Sequence, residues 1–187
     1  MPELRSCRRM WYQMSFEFTF EYDQDKVWIA YAIPYSYTML CNFIKAIEEI
    51  QKKPENIKNS NIIKKEVLGK SLSGVEIPML TITDFSDEQK RKKTIVMVGR
   101  LHPGETHSSW LIHGFIRFLL SESPKARELR SRIIFKIVPM LNPDGVIIGN
   151  YRCTLCGFDM NRNFGGDTAA AALRLNPETN TFKAMAK

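Results

Sequence analysis

The chain has 187 residues, which is enough for one domain with a substantial hydrophobic core. Hydrophobic residues make up 44% of it and charged residues 25%, the composition of a soluble globular protein. The formal net charge of +7 favours an acidic partner, and nucleic acid, an anionic membrane and an acidic protein tail all satisfy that condition.

The four cysteines are too few and too scattered for a disulfide scaffold. Cys153 and Cys156 form one Cys-x-x-Cys, which can be half of a zinc site or a redox pair, but two reduced thiols in a loop are the favoured interpretation. The longest apolar segment, Trp110–Leu120, is shorter than the roughly 20 residues that a bilayer requires. No apolar run follows the basic N-terminal residues, so we expect no signal peptide and an intracellular protein.

Residues 14–22 alternate aromatic with polar side chains, the pattern of a half-buried strand. A turn at Asp23–Asp25 and a second strand over residues 26–33 would complete a hairpin. The hairpin must pack on the following domain or belong to a larger β domain, because two strands alone are not stable in water. Apolar residues at helical spacing predict a helix over Met39–Lys52, capped by Ser36 or Thr38. The polar residues 53–61 are the best candidate for a domain boundary.

The rest of the chain alternates strands with helices. Residues 62–68 and 75–83 are predicted strands joined by a turn over Gly69–Gly74. The charged residues 84–93 are expected to form a solvated loop, with a nuclear-localisation signal as the alternative. Further along the chain we predict a strand at Ile95–Val98 buried on both faces, a helix from Thr106 or Ser108 to about Ser121, a helix at Pro124–Arg132, and a buried strand at Ile133–Val138. A strand-helix-strand unit of this length makes the two strands parallel.

His102 and Glu105 directly follow the strand at Ile95–Val98. Ligands of open α/β sheets bind beyond the carboxyl ends of strands. Zinc accepts histidine nitrogen and carboxylate oxygen at about 2.0–2.2 Å, so one ion can take both side chains. Pro103 and Gly104 forbid a regular helix between the two residues, which makes this a loop site. The pair alone is a weak signal, because a catalytic zinc usually has three protein ligands.

The next strand ends in a loop at the same edge of the predicted sheet, with turn-forming residues at Pro139–Gly145. After it come Arg152, Asp159, Asn161 and Arg162. The guanidinium group matches a carboxylate with two parallel hydrogen bonds, although a surface salt bridge is the simpler reading of each arginine alone. His107 and His113 are predicted to lie at the start and on the surface of a helix rather than to be ligands. The sequence thus predicts that two arginines and an amide approach one candidate metal.

Three stretches, LHPGET, NPDGVIIGNYR and GFDMNRNF, resemble in order and spacing the zinc metallocarboxypeptidases. They are most similar to the cytosolic carboxypeptidase branch, whose members remove glutamates from tubulin and other acidic tails. The resemblance covers roughly residues 14–164. It implies an α/β fold with a partial carboxypeptidase-like mixed sheet and flanking helices. It divides the chain into the end of an N-terminal β-rich domain with a linking helix (1–52), the first half of a catalytic domain (60–164) and a divergent tail (165–187).

The resemblance also implies roles for individual residues. His102 and Glu105 would bind Zn²⁺, and Asp159 would accept a hydrogen bond from the His102 ring. Arg152 would stabilise the oxyanion that develops on the scissile carbonyl. Asn161 and Arg162 would bind the terminal carboxylate of the substrate. Polyglutamylated tails such as that of tubulin would be the partners, in the cytosol and at microtubules, centrioles or cilia.

Two elements of the family pattern have no counterpart in the chain. All three histidines precede residue 114, so the third zinc ligand is missing, and no glutamate matches the catalytic base. A truncated form is therefore expected, and the alternative function is a module that binds acidic tails without cutting them. Nucleic-acid binding rests on charge alone, with no recognised motif, and neither a nucleic acid nor a membrane is expected as partner.

Overall fold

The computed structural model describes residues 13–52, 62–86, 91–162 and 175–186. The backbone divides into two units, residues 1–31 and residues 32–187. None of the helices in the described ranges is both long and apolar enough to cross a membrane.

The first unit contains no strand over its described residues, 13–31. The predicted hairpin, with strands at 14–22 and 26–33, is therefore wrong, although the chain does turn at Asp23 and Gln24. The four aromatic side chains of the alternating stretch are 52% to 70% exposed. An alternating pattern stabilises a strand only when a second layer buries its apolar face, because that burial offsets the entropy of ordering the chain.

The second unit begins with helix α1, Tyr37–Lys52. The backbone N–H of Met39 donates to Ser36 Oγ at 3.1 Å, which confirms Ser36 as the cap. Leu40, Ile44 and Ile47 are buried at helical spacing and hold α1 against the core.

A four-stranded mixed sheet forms the centre of the second unit in the described part of the chain. Its strands are β1 Ile63–Lys70, β2 Glu76–Ile82, β3 Lys93–Val98 and β4 Ile133–Val138. The spatial order is β1-β2-β4-β3. The pairs β1–β2 and β2–β4 are antiparallel, and β3–β4 is parallel, as the strand-helix-strand pattern predicted. The connecting helices are α2 Thr106–Leu119 and α3 Pro124–Arg132.

Strand β3 is an edge strand, with β4 on one side. Ile95 is 41% exposed and Val96 38%, so the prediction that this strand is buried on both faces is wrong. An apolar run indicates a strand that favours burial, but the run cannot say which of its sides receive a neighbour.

Apolar side chains pack on both faces of the sheet. One cluster joins α1 and α2 to the sheet and includes Leu80 and Phe135. The other lies on the opposite face and includes Ile77, Val138 and Met160. Because apolar side chains pack on both faces, the sheet is held in place, and so are the ends of the loops attached to its strands.

Two shorter helices complete the second unit. Helix α4, Pro143–Ile148, begins where the sequence predicted only a turn. Asn142 caps it by accepting from the Gly145 N–H at 3.0 Å, and proline at the first helical position suits a helix start as well as a turn. Helix α5, Pro177–Ala186, packs against β1. The sequence also favours a short helix over residues 169–175, and this prediction lies almost wholly outside the described residues.

Leu80→Ala should lower the free energy of unfolding by about 2–5 kcal/mol, because Leu80 is almost completely buried and alanine would leave a cavity. Chemical unfolding followed by circular dichroism measures this. Val67→Ala in the neighbouring strand is the control, since Val67 is exposed and should change the free energy by about 0.5 kcal/mol at most. Equal losses in the two variants would contradict the position given to the core.

Candidate metal centre

The loops that follow β3 and β4 lie side by side. The Gly99 N–H donates to Val138 O at 2.9 Å, and the Leu141 N–H donates to Gly99 O at 3.0 Å. The Asn142 N–H donates to Arg100 O at 3.2 Å. These bonds continue the parallel pairing past the ends of the strands, so both loops lie at the same edge of the sheet, as predicted.

His102 and Glu105 face each other within the loop between β3 and α2. His102 Nδ1 lies 3.0 Å from Glu105 Oε1. The Glu105 N–H donates to His102 O at 3.2 Å, so the backbone turns between the two residues. The His102 side chain is 9% exposed, while the Glu105 carboxylate is partly open to solvent. The arrangement brings one ring nitrogen and one carboxylate oxygen together at an accessible surface.

Asp159 joins the opposite side of the imidazole to Arg152. Its Oδ1 lies 3.1 Å from His102 Nε2, and its Oδ2 accepts from Arg152 Nε at 2.6 Å. The Asn161 N–H also donates to Oδ1, at 2.9 Å. Four of the six predicted site residues therefore form one connected side-chain array, which runs from Glu105 through His102 and Asp159 to Arg152.

The other two predicted residues, Asn161 and Arg162, lie in a 3-10 turn over Met160–Arg162. Both side chains are exposed, and the Arg162 Nη1 donates to Asn161 O at 3.4 Å. The turn places them beside the array, but the bonds that the structure gives their side chains do not reach it.

Burial opposes ionisation of Asp159, but its hydrogen bonds outweigh that effect. His102, Arg152 and the Asn161 N–H all stabilise the carboxylate, and together they lower the pKa of Asp159 below its ordinary value. Asp159 is therefore a fixed negative charge beside the imidazole at neutral pH.

The sequence profile of the zinc carboxypeptidases matches residues 47–186. The chain belongs to the zinc carboxypeptidase family. The match includes residues 165–186, the segment that the motifs alone had set apart as a divergent tail.

Individual members of the family agree with this assignment. Cytosolic carboxypeptidase 2 of Danio rerio is 43% identical over 82% of this chain, and cytosolic carboxypeptidase 6 of Mus musculus is 44% identical over 82%. The crystal structure of a metallo-carboxypeptidase from Burkholderia cenocepacia superposes on 81% of the chain with a TM-score of 0.68 and 28% identity. The chain spans 21% and 27% of the two relatives and 38% of the bacterial protein. The carboxypeptidase fold expected from the motifs is thus confirmed.

The donor atoms of His102 and Glu105 fit part of a zinc site. A neutral imidazole carries one N–H, so His102 can donate to Asp159 or to Glu105, but not to both. When Nε2 donates to Asp159, the lone pair of Nδ1 and the Glu105 oxygen point at each other across 3.0 Å. A cation between the two atoms removes this conflict and leaves Asp159 to hold the ring, a common arrangement of zinc-bound histidine. Within the described ranges, no group of three or more His, Cys, Asp or Glu side chains is placed to hold a metal, and His102 and Glu105 remain two candidate ligands.

The other histidines, and the cysteines among the described residues, lie outside this array. His107 is exposed, and the ring of His113 stacks on Phe43 while its Nδ1 lies 3.0 Å from the Tyr35 hydroxyl. Burial lowers the pKa of His113. Cys153 and Cys156 are free thiols.

The sequence analysis did not predict the close packing around the loop between β3 and α2, which carries His102 and Glu105. A Cβ on Gly104 would lie 2.9 Å from Tyr151 O, and a Cβ on Gly145 would lie 2.3 Å from Pro103 Cγ. It also missed Arg100, whose guanidinium is buried beneath the loop. Neither feature has a local sequence signal, because each depends on residues that approach from distant parts of the chain.

Proposed function

We propose that this protein is a zinc-dependent carboxypeptidase that removes C-terminal or side-chain glutamates from acidic protein tails such as that of tubulin. The observation that carries the proposal is the connected array of Glu105, His102, Asp159 and Arg152. The cytosolic relatives support a cytosolic location, and association with microtubules, centrioles or cilia is part of the same proposal.

His102 Nδ1 and Glu105 Oε1 would hold the zinc ion. When bound, zinc supplies Lewis-acid chemistry at the scissile carbonyl and lowers the pKa of its water to about 7. The Asp159 carboxylate keeps the N–H of His102 on Nε2, so the lone pair of Nδ1 faces the metal side. The sequence motifs identify no third ligand and no general base in this chain, so the four residues of the array are proposed to supply part of the site.

Arg152 is suited to stabilise negative charge on the substrate. Its Nε donates to Asp159 Oδ2, which fixes the plane of the guanidinium, while the side chain stays partly exposed. A fixed donor aimed at a developing oxyanion stabilises the transition state without further reorganisation. Asn161 and Arg162, exposed in the adjacent turn, would bind the terminal carboxylate and make the enzyme an exopeptidase.

Net charge supports the proposed substrate class. The chain carries 27 basic and 20 acidic residues, which attracts acidic segments by long-range electrostatics. A tail of several glutamates would present one carboxylate to Arg162, and the net positive charge of the chain would attract the others. Binding is therefore expected to weaken as salt concentration rises.

The test is glutamate release from a peptide that ends in several glutamates, measured with and without added zinc. We expect zinc-dependent release that falls about 100-fold or more in His102→Ala, because the variant loses a ligand and the partner of Asp159. His107→Ala is the matched control, since His107 is exposed at the start of α2 and should retain activity. Peptide binding without release in every variant, with or without zinc, would contradict the proposal and favour a binding module.

A further inference from the structure

We propose that Arg100 is a positioning residue that sets the separation of the two zinc ligands. The inference rests on the proposed zinc site and extends it to a residue that lies outside the ligand motif. Arg100 precedes His102 by two residues in the loop after β3, and its side chain runs beneath that loop.

The guanidinium group of Arg100 bonds to three parts of the second unit. Its Nε donates to Pro103 O at 2.9 Å. Its Nη1 donates to Tyr35 O at 2.9 Å and to Ser109 Oγ at 3.1 Å. Pro103 lies between the two ligands in sequence, so its carbonyl moves whenever the loop changes shape. One planar side chain thereby ties the loop to α2 and to the segment before α1.

The backbone of Arg100 is also held in an unusual form. Its φ angle is +50°, in the left-handed region that residues other than glycine rarely adopt. The Arg100 N–H donates to Ser108 Oγ at 3.0 Å, and the same hydroxyl donates to Glu105 O at 2.8 Å. The two ends of the loop are thus joined through Ser108. Backbone strain of this kind persists where the surroundings enforce it, and it is concentrated at functional sites.

Burying the positively charged guanidinium of Arg100 costs desolvation free energy. Arg100 is 4% exposed, and burial lowers the pKa of its guanidinium. Among the residues that the structure describes, its acceptors are two carbonyls and a hydroxyl, and no carboxylate forms an ion pair with it. An apolar side chain of similar volume would fill the space at lower desolvation cost. A rigid fork of N–H donors, in contrast, fixes the direction of several acceptors at once.

Arg130 provides a matched comparison. It is also 4% exposed, burial also lowers its pKa, and it donates to the carbonyls of Leu119 and Ser121 near the end of α2. Its bonds are made far along the chain from the His102–Glu105 loop. If both buried arginines are purely structural, substituting either one should change stability and zinc affinity in the same way. If Arg100 positions the ligands, only its substitution should weaken zinc affinity.

The experiment measures zinc affinity by competition with a chromophoric chelator, together with unfolding of the metal-free protein. Arg100→Lys retains the charge and the cost of a positive φ angle but loses the planar fork. We expect it to weaken zinc affinity about 10–100-fold, the usual effect of removing an outer contact of a metal site. Arg130→Lys should lower stability to a similar extent and leave zinc affinity unchanged.

The outcomes separate the two proposals. If the wild-type chain binds zinc and Arg100→Lys binds it equally well, the positioning role is refuted while the zinc site remains. If the wild-type chain does not bind zinc, both fail. Should Arg100→Lys not fold, Ser109→Ala removes one acceptor of the same guanidinium, and a weakened zinc affinity is again expected. Unchanged affinity in Ser109→Ala would then refute the role.

Discussion

Gly145→Ala is expected to weaken zinc binding about tenfold or more and to lower the free energy of unfolding by about 1–3 kcal/mol. A Cβ at this position would lie 2.3 Å from Pro103 Cγ, 2.8 Å from Cys153 O and 2.9 Å from Asn142 Oδ1. The proline ring is rigid and the Cys153 carbonyl belongs to the backbone, so neither can move away as a flexible side chain would. The added methyl group must therefore displace the loop that carries His102 and Glu105.

The measurement is zinc titration together with thermal unfolding in a chelator. Gly114→Ala in α2 is the control, because a Cβ there meets no atom within 4 Å and alanine favours a helix over glycine by about 1 kcal/mol. The control should be as stable as the wild type or more so, with the same zinc affinity. If Gly145→Ala had the zinc affinity and stability of the control, the close packing of α4 against the loop that carries His102 and Glu105 would be disproved.

Elements with a strong local pattern could be predicted from the sequence. Helix α3 and strand β4 have the predicted bounds, because a proline at the helix start and a β-branched run leave little choice. The parallel pairing of β3 with β4 also followed, since the intervening helices are long enough for a crossover. In these cases the physical cause lies within a few residues of the effect.

Burial and pairing with distant partners could not be predicted in the same way. The alternating pattern of residues 14–22 fits a strand, but whether a strand forms depends on what covers its apolar face. Strand β3 has the composition of a central strand and is exposed at an edge. In both cases the pattern of apolar residues indicates a preference for a strand. Whether the strand forms, and which of its faces are buried, depends on the elements that pack beside it.

In the candidate site too, the contact between neighbouring residues could be predicted from the sequence, and the contacts with distant residues could not. His102 and Glu105 could be placed together because they are three residues apart in a loop after a strand. The joining of Asp159 to His102 across 57 positions followed only from the family resemblance, since nothing local directs one toward the other. Arg100 lies next to the motif and was still missed, because neither its left-handed backbone nor its contact with Tyr35 has a sequence signature.

Asp159→Asn should reduce zinc affinity about 10–100-fold, since the carboxylate that orients the zinc-bound imidazole is replaced by a neutral amide. The amide retains the shape of the side chain, but its NH₂ group cannot accept a hydrogen bond from His102 Nε2 or from Arg152 Nε. At least one of these two donors loses its partner. If Arg152 loses its hydrogen bond to residue 159, its guanidinium is no longer held in place, and the rate of glutamate release should fall even at saturating zinc. This effect distinguishes Asp159→Asn from a variant that only binds zinc more weakly.

The dependence of stability on pH provides a second measure of the same contact. The folded protein holds the pKa of Asp159 below its ordinary value, so near pH 4 the unfolded chain binds more protons at this position than the folded one. The stabilising contribution is therefore present above about pH 4 and is lost as pH falls through the folded-state pKa. Unfolding measured from pH 7 to pH 3 should show the wild type losing this advantage over Asp159→Asn as the solution becomes acidic.

Asp84→Asn is the matched control, because hydrogen bonds from the side chain and backbone of Ser86 also lower the pKa of Asp84, at a position between β2 and β3. It should reproduce the pH trend and leave zinc affinity unchanged. If both variants lost zinc affinity equally, the cause would be a general loss of negative charge from a basic protein. A loss confined to Asp159→Asn would instead locate the effect in the contact between the carboxylate and the imidazole.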